Sequence, residues 1–202
     1  MKTRPVVANT PLQISRPGFA IFSILLVIAV VFASFGDTGS ALAANDYAYV
    51  YKVKNKSFEK DSDFNGIPNA WFTINFIPGM KRVCNQAFSG QCSFKMVGDG
   101  NPHYLYQEPA LSFGSAGYTE TLAGYVRGNN VVGDSWLALR FAQTDGGFQY
   151  EYITLPTGTY GWTFVSDTFT ADEPFNVLRI YLFMNSTSGK IWFDKITLVE
   201  NL

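Results

Sequence analysis

The chain has 202 residues, of which 16% are aromatic and only 15% charged, and its formal net charge is −1. That length suits one domain plus a leader, and the composition favours β-structure over a charged helical bundle. No basic run of the kind that nucleic acid or an anionic membrane requires stands in the sequence, so nucleic acid is not an expected partner.

Residues 1–43 read as a targeting segment. Lys2, Arg4 and Arg16 form a positive front, Phe19 to Phe35 is an uncharged apolar run, and Ala41-Leu42-Ala43 supplies the small-x-small pattern that a signal peptidase accepts. Cleavage after Ala43 is expected. The alternatives are an uncleaved anchor, since the run approaches bilayer-spanning length, and a prepilin-type cut before Phe19, which the lack of a glutamate at the run's fifth position disfavours. Each reading places residues 44–202 outside the cytoplasm, secreted or at the cell surface, as one domain. The membrane is a partner only if the segment stays uncleaved. The domain carries 12 basic and 15 acidic residues, a net of −3.

Tyr47 to Val53 alternates as a strand does, and its start, Ala44–Tyr51, could pair with the sheet edge of a second copy. The stretch Asn55 to Trp71 follows. Within it Asp61, Asp63 and Asn65 alternate oxygen-bearing side chains before Gly66. Calcium takes six to eight oxygens at flexible angles and suits such a loop, but position twelve of the ladder is Phe72 and not the glutamate of an EF-hand. The ladder is therefore either part of a metal loop or a polar turn.

Short strands are predicted at Trp71–Phe76, Ser93–Val97, His103–Gln107, Thr119–Arg127, Trp136–Ala142, Phe148–Leu155, Trp162–Phe169, Val177–Met184 and Ile191–Val199. Clusters such as Gly98-Asp99-Gly100-Asn101-Pro102, Gly128-Asn129-Asn130 and Asp145-Gly146-Gly147 separate them as turns. Lys81 to Gln91 reads as an irregular hairpin closed by Cys84 and Cys92. In an oxidising compartment that close pair forms a disulfide, and with one histidine in the chain it makes a poor zinc site. Many short strands without an amphipathic helix mean an all-β, two-sheet antiparallel sandwich.

Five stretches carry a family resemblance. They are Asn55-Lys-Ser-Phe-Glu59 followed by Gly66-Ile-Pro-Asn-Ala-Trp71, Ser89-Gly-Gln-Cys-Ser-Phe-Lys-Met-Val97, Tyr118 to Arg127, Trp162 to Phe169, and Ser188-Gly-Lys-Ile-Trp-Phe-Asp194-Lys-Ile-Thr-Leu198. In this order they resemble the carbohydrate-binding modules with a galactose-binding-like jelly roll, across nearly all of residues 44–202. The resemblance implies a jelly-roll sandwich and a structural calcium between the first loop and the last strand, with its carboxylates on Glu59 and Asp194. Asp61, Asp63 and Asn65 could feed the same ion or a second one. It also implies that Trp71, Trp162 and Trp192 are buried, and that the ligand is a polysaccharide or cell-surface glycan.

Sugars present apolar C–H faces and many hydroxyls, so a binding face needs flat aromatics with fixed donors beside them. Strand parity puts Tyr125, Arg127, Trp136, Arg140, Arg179 and Tyr181 on an outward face, and these are the candidate ligand-binding residues. Catalysis finds little support: no nucleophile elbow, phosphate loop or metal-histidine pair appears. His103 reads as a surface or turn residue, and nothing in the sequence brings Glu120 and Glu151 together as an acid–base couple. The leading expectation is a secreted, non-catalytic carbohydrate-binding protein. The alternative is an extracellular structural subunit that self-assembles through the same calcium-stabilised sandwich.

Overall fold

The computed structural model describes residues 53–110 and 113–201. The predicted leader and the pairing segment Ala44–Tyr51 lie outside them. Among the described residues the regular structure is all strand: β1 (Phe72–Ile74), β2 (Lys81–Val83), β3 (Ser93–Val97), β4 (His103–Gln107), β5 (Thr119–Gln143), β6 (Phe148–Thr154), β7 (Gly158–Thr170) and β8 (Phe175–Asn201). The short β2 forms within the expected irregular hairpin, and Cys84 is bonded to Cys92 as expected.

The main departure from the sequence reading is that two pairs of predicted strands are continuous. Gly128-Asn129-Asn130 has the composition of a turn, yet β5 runs through it, and β8 likewise runs through Asn185–Gly189. These two strands pair from Thr119↔Asn201 to Gln143↔Phe175. A ladder of that length twists and cannot stay flat. Its register slips between Asn129 and Gly133, where Asn130 and Gly133 take φ of +50° and +109°, opposite Gly189 at +96°. Bulges of this kind bend a strand and increase its twist.

Through the bend each strand passes from one layer to the other. In the first layer the N-terminal half of β5 and the C-terminal half of β8 are flanked by β7 and β3, with β2 beyond. In the second the remaining halves are flanked by β6 and β4, with β1 beyond. The layers face each other: a Cβ on Gly124 of the first would lie 3.6 Å from Leu137 Cδ2 of the second. One curled antiparallel sheet thus makes the expected jelly-roll sandwich. At the bend the two main chains nearly touch. A Cβ on Gly189 would fall 2.3 Å from the Asn130 carbonyl oxygen, so only glycine fits. The β3–β4 turn crosses the same place, with Gly98 N donating to Gly189 O (3.1 Å) and Gly100 N to Ser186 O (3.0 Å).

The core follows the period-two pattern. Leu137, Leu139 and Phe141 of β5 and Leu178, Ile180 and Leu182 of β8 are fully buried, each worth roughly 1.5–3 kcal/mol of transfer free energy. Trp71 is core as expected, packed on Phe58 with ring centroids 5.3 Å apart. The other two tryptophans have the outward parity, and of these Trp192 is nevertheless buried as expected, 7% exposed. Trp162 is half-buried beside Phe88, and Trp192 is covered on the outer face, with Arg127 over its ring. The Asn55 side chain pins the first loop, donating to Lys60 O (2.8 Å) and Asn69 O (3.1 Å).

His103 also departs from its surface assignment. It is 2% exposed, with Nδ1 bonded to the Asn75 carbonyl and Nε2 2.7 Å from Asp99 Oδ1. The His103 bond, and then the Asn101 amide, hold the Asp99 carboxyl below its usual range.

Two outcomes test this architecture. Gly189→Ala is expected to cost about 2 kcal/mol or more through backbone strain, lowering Tm by roughly 4–8 °C for a domain of this size; an unchanged melting curve would contradict the close approach at the bend. The lowered Asp99 carboxyl stabilises the fold above its unfolded pKa near ~4, and that contribution is lost as pH falls through the folded value. Asp99→Asn is therefore expected to melt below wild type at neutral pH, with the two curves converging in acid, as followed by calorimetry.

Candidate functional site

The outer face of the second layer is built of aromatic rows. Antiparallel register sets Ile74, Tyr104, Phe183 and Trp136 side by side across β1, β4, β8 and β5. The adjoining row is Phe72, Tyr106, Tyr181, Ala138 and Tyr152. Ala138 is the one small side chain in that row. Between Trp136, Tyr152 and Tyr181 it leaves a hollow of about 330 Å³, which Tyr104, Tyr150 and Phe183 help to line.

The rings brace one another. Trp136 stacks on Phe183 at 4.5 Å between centroids, with planes 5° apart, and Tyr150 lies nearly parallel to Tyr152. Such pairing adds about 0.5–1.5 kcal/mol per contact beyond area burial and fixes the platform before any ligand arrives. Tyr150 and Tyr152 stay 45% and 50% exposed. Burial, followed by the neighbouring phenols, pushes the Tyr104 and Tyr152 hydroxyls above the usual range, so both remain protonated donors at neutral pH.

The six candidate residues do have the outward parity, but they do not share one face. Because β5 changes layers at its bend, Tyr125 and Arg127 lie on the first layer, while Trp136, Arg140, Arg179 and Tyr181 lie on the second. Only Trp136 and Tyr181 line the hollow. Arg179 is committed to Glu108 and also donates to the Tyr181 hydroxyl (3.2 Å). Arg140 lies over Phe148 at 4.9 Å, with Nε buried and without a hydrogen-bond partner. Tyr104, Tyr150, Tyr152 and Phe183 were not among the candidates. Their signal was present in the alternation of Tyr104 with Tyr106 and of Phe148, Tyr150 and Tyr152, but sequence alone does not say that β4 and β6 flank the same pair of strands.

Glu59 and Asp194 both face the Phe88–Cys92 loop. Glu59 Oε1 accepts from Gln91 N (2.9 Å) and Cys92 N (3.1 Å). Asp194 Oδ2 accepts from Phe88 N (2.7 Å) and Ser89 N (2.9 Å), and its Oδ1 from Lys195 N (2.6 Å). Gly90 lets the loop pass: its φ is +72°, and a Cβ there would lie 2.2 Å from Glu59 Oε1. Burial pushes the Asp194 carboxyl up against the pull of those amides, and the Glu59 charge adds to the push. Among the described residues neither carboxylate has an ion-pair partner. In the ladder, Asp61 Oδ2 accepts from Gly66 N (3.0 Å) while Oδ1 is buried without a partner. Asp63 accepts from the Asn65 amide (2.8 Å), and Asn65 Oδ1 accepts from Ile67 N (2.7 Å). Among the described residues no three His, Cys, Asp or Glu side chains converge as a metal cluster.

No protein-family model and no curated protein matches the chain. Solved structures do. A family 16 carbohydrate-binding module superposes with a TM-score of 0.57 at 19% identity, over 74% of this chain and 99% of the module. TmCBM61, solved with β-1,4-galactotriose, gives 0.53 at 17% identity over 75% of this chain and 99% of its own. The CBM22-1 xylan-binding domain of Xyn10C from Paenibacillus barcinonensis gives 0.55 at 14% identity over 76% and 96%. The enzymatically active domain of tailspike protein 4 of bacteriophage CBA120 gives 0.59 at 14% identity, but this chain spans only 21% of its length. At such identities the likeness is one of fold: the chain has the jelly-roll architecture of the carbohydrate-binding modules.

Proposed function

We propose that the protein is a secreted, non-catalytic carbohydrate-binding protein that seats a neutral polysaccharide, such as a xylan or a galactan, in the hollow above Ala138. The observation that carries this reading is the exposed aromatic tier itself. Stacked rings offer flat apolar faces to the C–H faces of sugar rings, and the phenol hydroxyls of Tyr104 and Tyr152 supply donors at the edge. None of the eight side chains lining the hollow is a carboxylate, whereas glycoside hydrolysis requires two. Glu120 is buried in the first-layer half of β5 and Glu151 sits on β6 of the second layer. The shared fold of carbohydrate-binding modules supports the same reading. Secretion is supported by the leader-like residues 1–43 and by the Cys84–Cys92 bond, which persists in oxidising compartments.

A structural calcium belongs to this proposal. Glu59 and Asp194 would hold it, tying the first loop to the last strand and adding its binding free energy to folding. They suit a hard cation: two carboxylates share one loop, one of them fully buried, and among the described residues no cationic side chain pairs with either.

Tyr150→Ala combined with Tyr152→Ala is expected to raise the Kd for a bound xylan or galactan at least tenfold, about 1.4 kcal/mol. Both side chains are exposed, so stability should stay within about 0.5 kcal/mol of wild type. Calorimetry and affinity electrophoresis read the two effects separately, and a wild type that binds nothing on a glycan array would sink the reading. For the ion, chelator is expected to lower Tm by roughly 5–10 °C, the equivalent of about 2.7 kcal/mol at a hundredfold excess over Kd. Asp194→Asn should abolish that response, and an unchanged wild-type midpoint in chelator would exclude the ion.

A further inference from the structure

The outer face of the first layer carries a charge pattern that the groove does not use. Register sets Lys81 of β2 opposite Lys95 of β3, Lys95 opposite Trp192 of β8, and Trp192 opposite Arg127 of β5. Three cations and a tryptophan therefore form one row across four strands, roughly 14 Å long at ~4.8 Å per strand spacing. Lys190 stands two residues from Trp192 on the same face of β8. Over the row lies a second hollow, of about 490 Å³, lined by Lys81, Lys95, Lys190 and Trp192 and by the Cys84–Gln86 segment. No basic run in the sequence announces this cluster; the pairing of separate strands assembles it.

Like charges directly opposite one another across a sheet are destabilising, and Lys81 and Lys95 are such a pair. Among the described residues none of Lys81, Lys95, Lys190 and Arg127 has an ion-pair partner. The carboxylate on the same face of β8, Asp194, is buried under the amides of Phe88 and Ser89. The Lys95 ammonium shows the strain: burial pushes it below its usual range, and Lys81 and Lys190 push it further. Beside the charges stand sugar-sized apolar surfaces. Phe88 stacks on Tyr125 with centroids 3.4 Å apart, Tyr125 packs on Phe164, and the two phenylalanines remain 40% and 57% exposed.

We propose that this row is a second binding surface, for an anionic polysaccharide whose acidic groups supply the missing counter-charge to Lys81, Lys95, Lys190 and Arg127. A concave row edged by aromatic rings fits a polymer strand, whereas a bilayer presents a flat face. The surface acts independently of the groove, since the two lie on opposite layers.

The test measures binding of the full domain to polygalacturonate, heparin, neutral galactan and phosphatidylglycerol vesicles. Wild type is expected to bind polygalacturonate or heparin, the arm that responds identifying carboxylate or sulfate. That binding should weaken severalfold as salt rises from ~0.05 to ~0.2 M and screening shortens. Lys81→Gln combined with Lys95→Gln should weaken it at least tenfold and leave galactan binding unchanged, while the Tyr150→Ala/Tyr152→Ala variant does the reverse. Removing a like-charge pair relieves repulsion, so the lysine variant should melt at or above the wild-type temperature, which separates lost binding from lost folding. Binding to neither anionic polysaccharide, binding to the vesicles alone, or polysaccharide binding that the lysine variant retains would each overturn the proposal.

Discussion

The molecule depends on one contact, where Gly189 of β8 lies against the Asn130 carbonyl of β5. Two strands of 25 and 27 residues paired along their length would otherwise form an extended twisted ribbon with both faces wet. The register slips at Asn129–Gly133 let the pair bend and place its halves in opposite layers. Burial of Leu122 and Val126 against Leu137 and Leu139 follows from that bend, and so does the identity of the neighbours each half acquires. The β3–β4 turn reinforces it, because Gly98 and Gly100 donate to the same stretch of β8.

The bend also gives the protein two outer faces of different chemistry from the same two strands. On the second layer the outward positions of β8 and β5 are Tyr181, Phe183 and Trp136, around the small Ala138. On the first layer they are Lys190, Trp192 and Arg127. A stable monomer has no need of an exposed aromatic tier or of lysines directly opposed across a ladder, because neither contributes to the core and the second opposes folding. The two proposed binding surfaces rest on these features. The Phe88–Cys92 loop is fastened to Glu59 and Asp194, which joins the first loop of the domain to its last strand.

Strand parity was legible because alternation is local. Tyr125, Arg127, Trp136, Arg140, Arg179 and Tyr181 all lie outside, as the period of two requires. Trp71 was legible as well, as the buried residue that the motif resemblance implied. Trp162 and His103 were not. Each sits in a strand of mixed composition, and its burial depends on which element passes over it: Phe88 for the tryptophan, the Asn75 and Asp99 turns for the histidine.

The sequence by itself determined the all-β class, the disulfide and the inward and outward sets of strands such as Trp136–Ala142 and Val177–Met184, because these follow from local periodicity, turn chemistry and close spacing, while the jelly roll was implied by the resemblance of its motifs. Only the tertiary structure decided that Gly128-Asn129-Asn130 is a bend within a strand and not a turn between strands. That difference sends Tyr125 and Trp136, eleven positions apart with the same outward sense in their strands, to opposite sides of the molecule. It also gathers Tyr104, Trp136, Tyr152 and Phe183 into one hollow, and Lys81, Lys95 and Lys190 into another, with Arg127 at the end of the same row. Which residues share a surface is set by non-local strand pairing, and no local pattern in the chain encodes it.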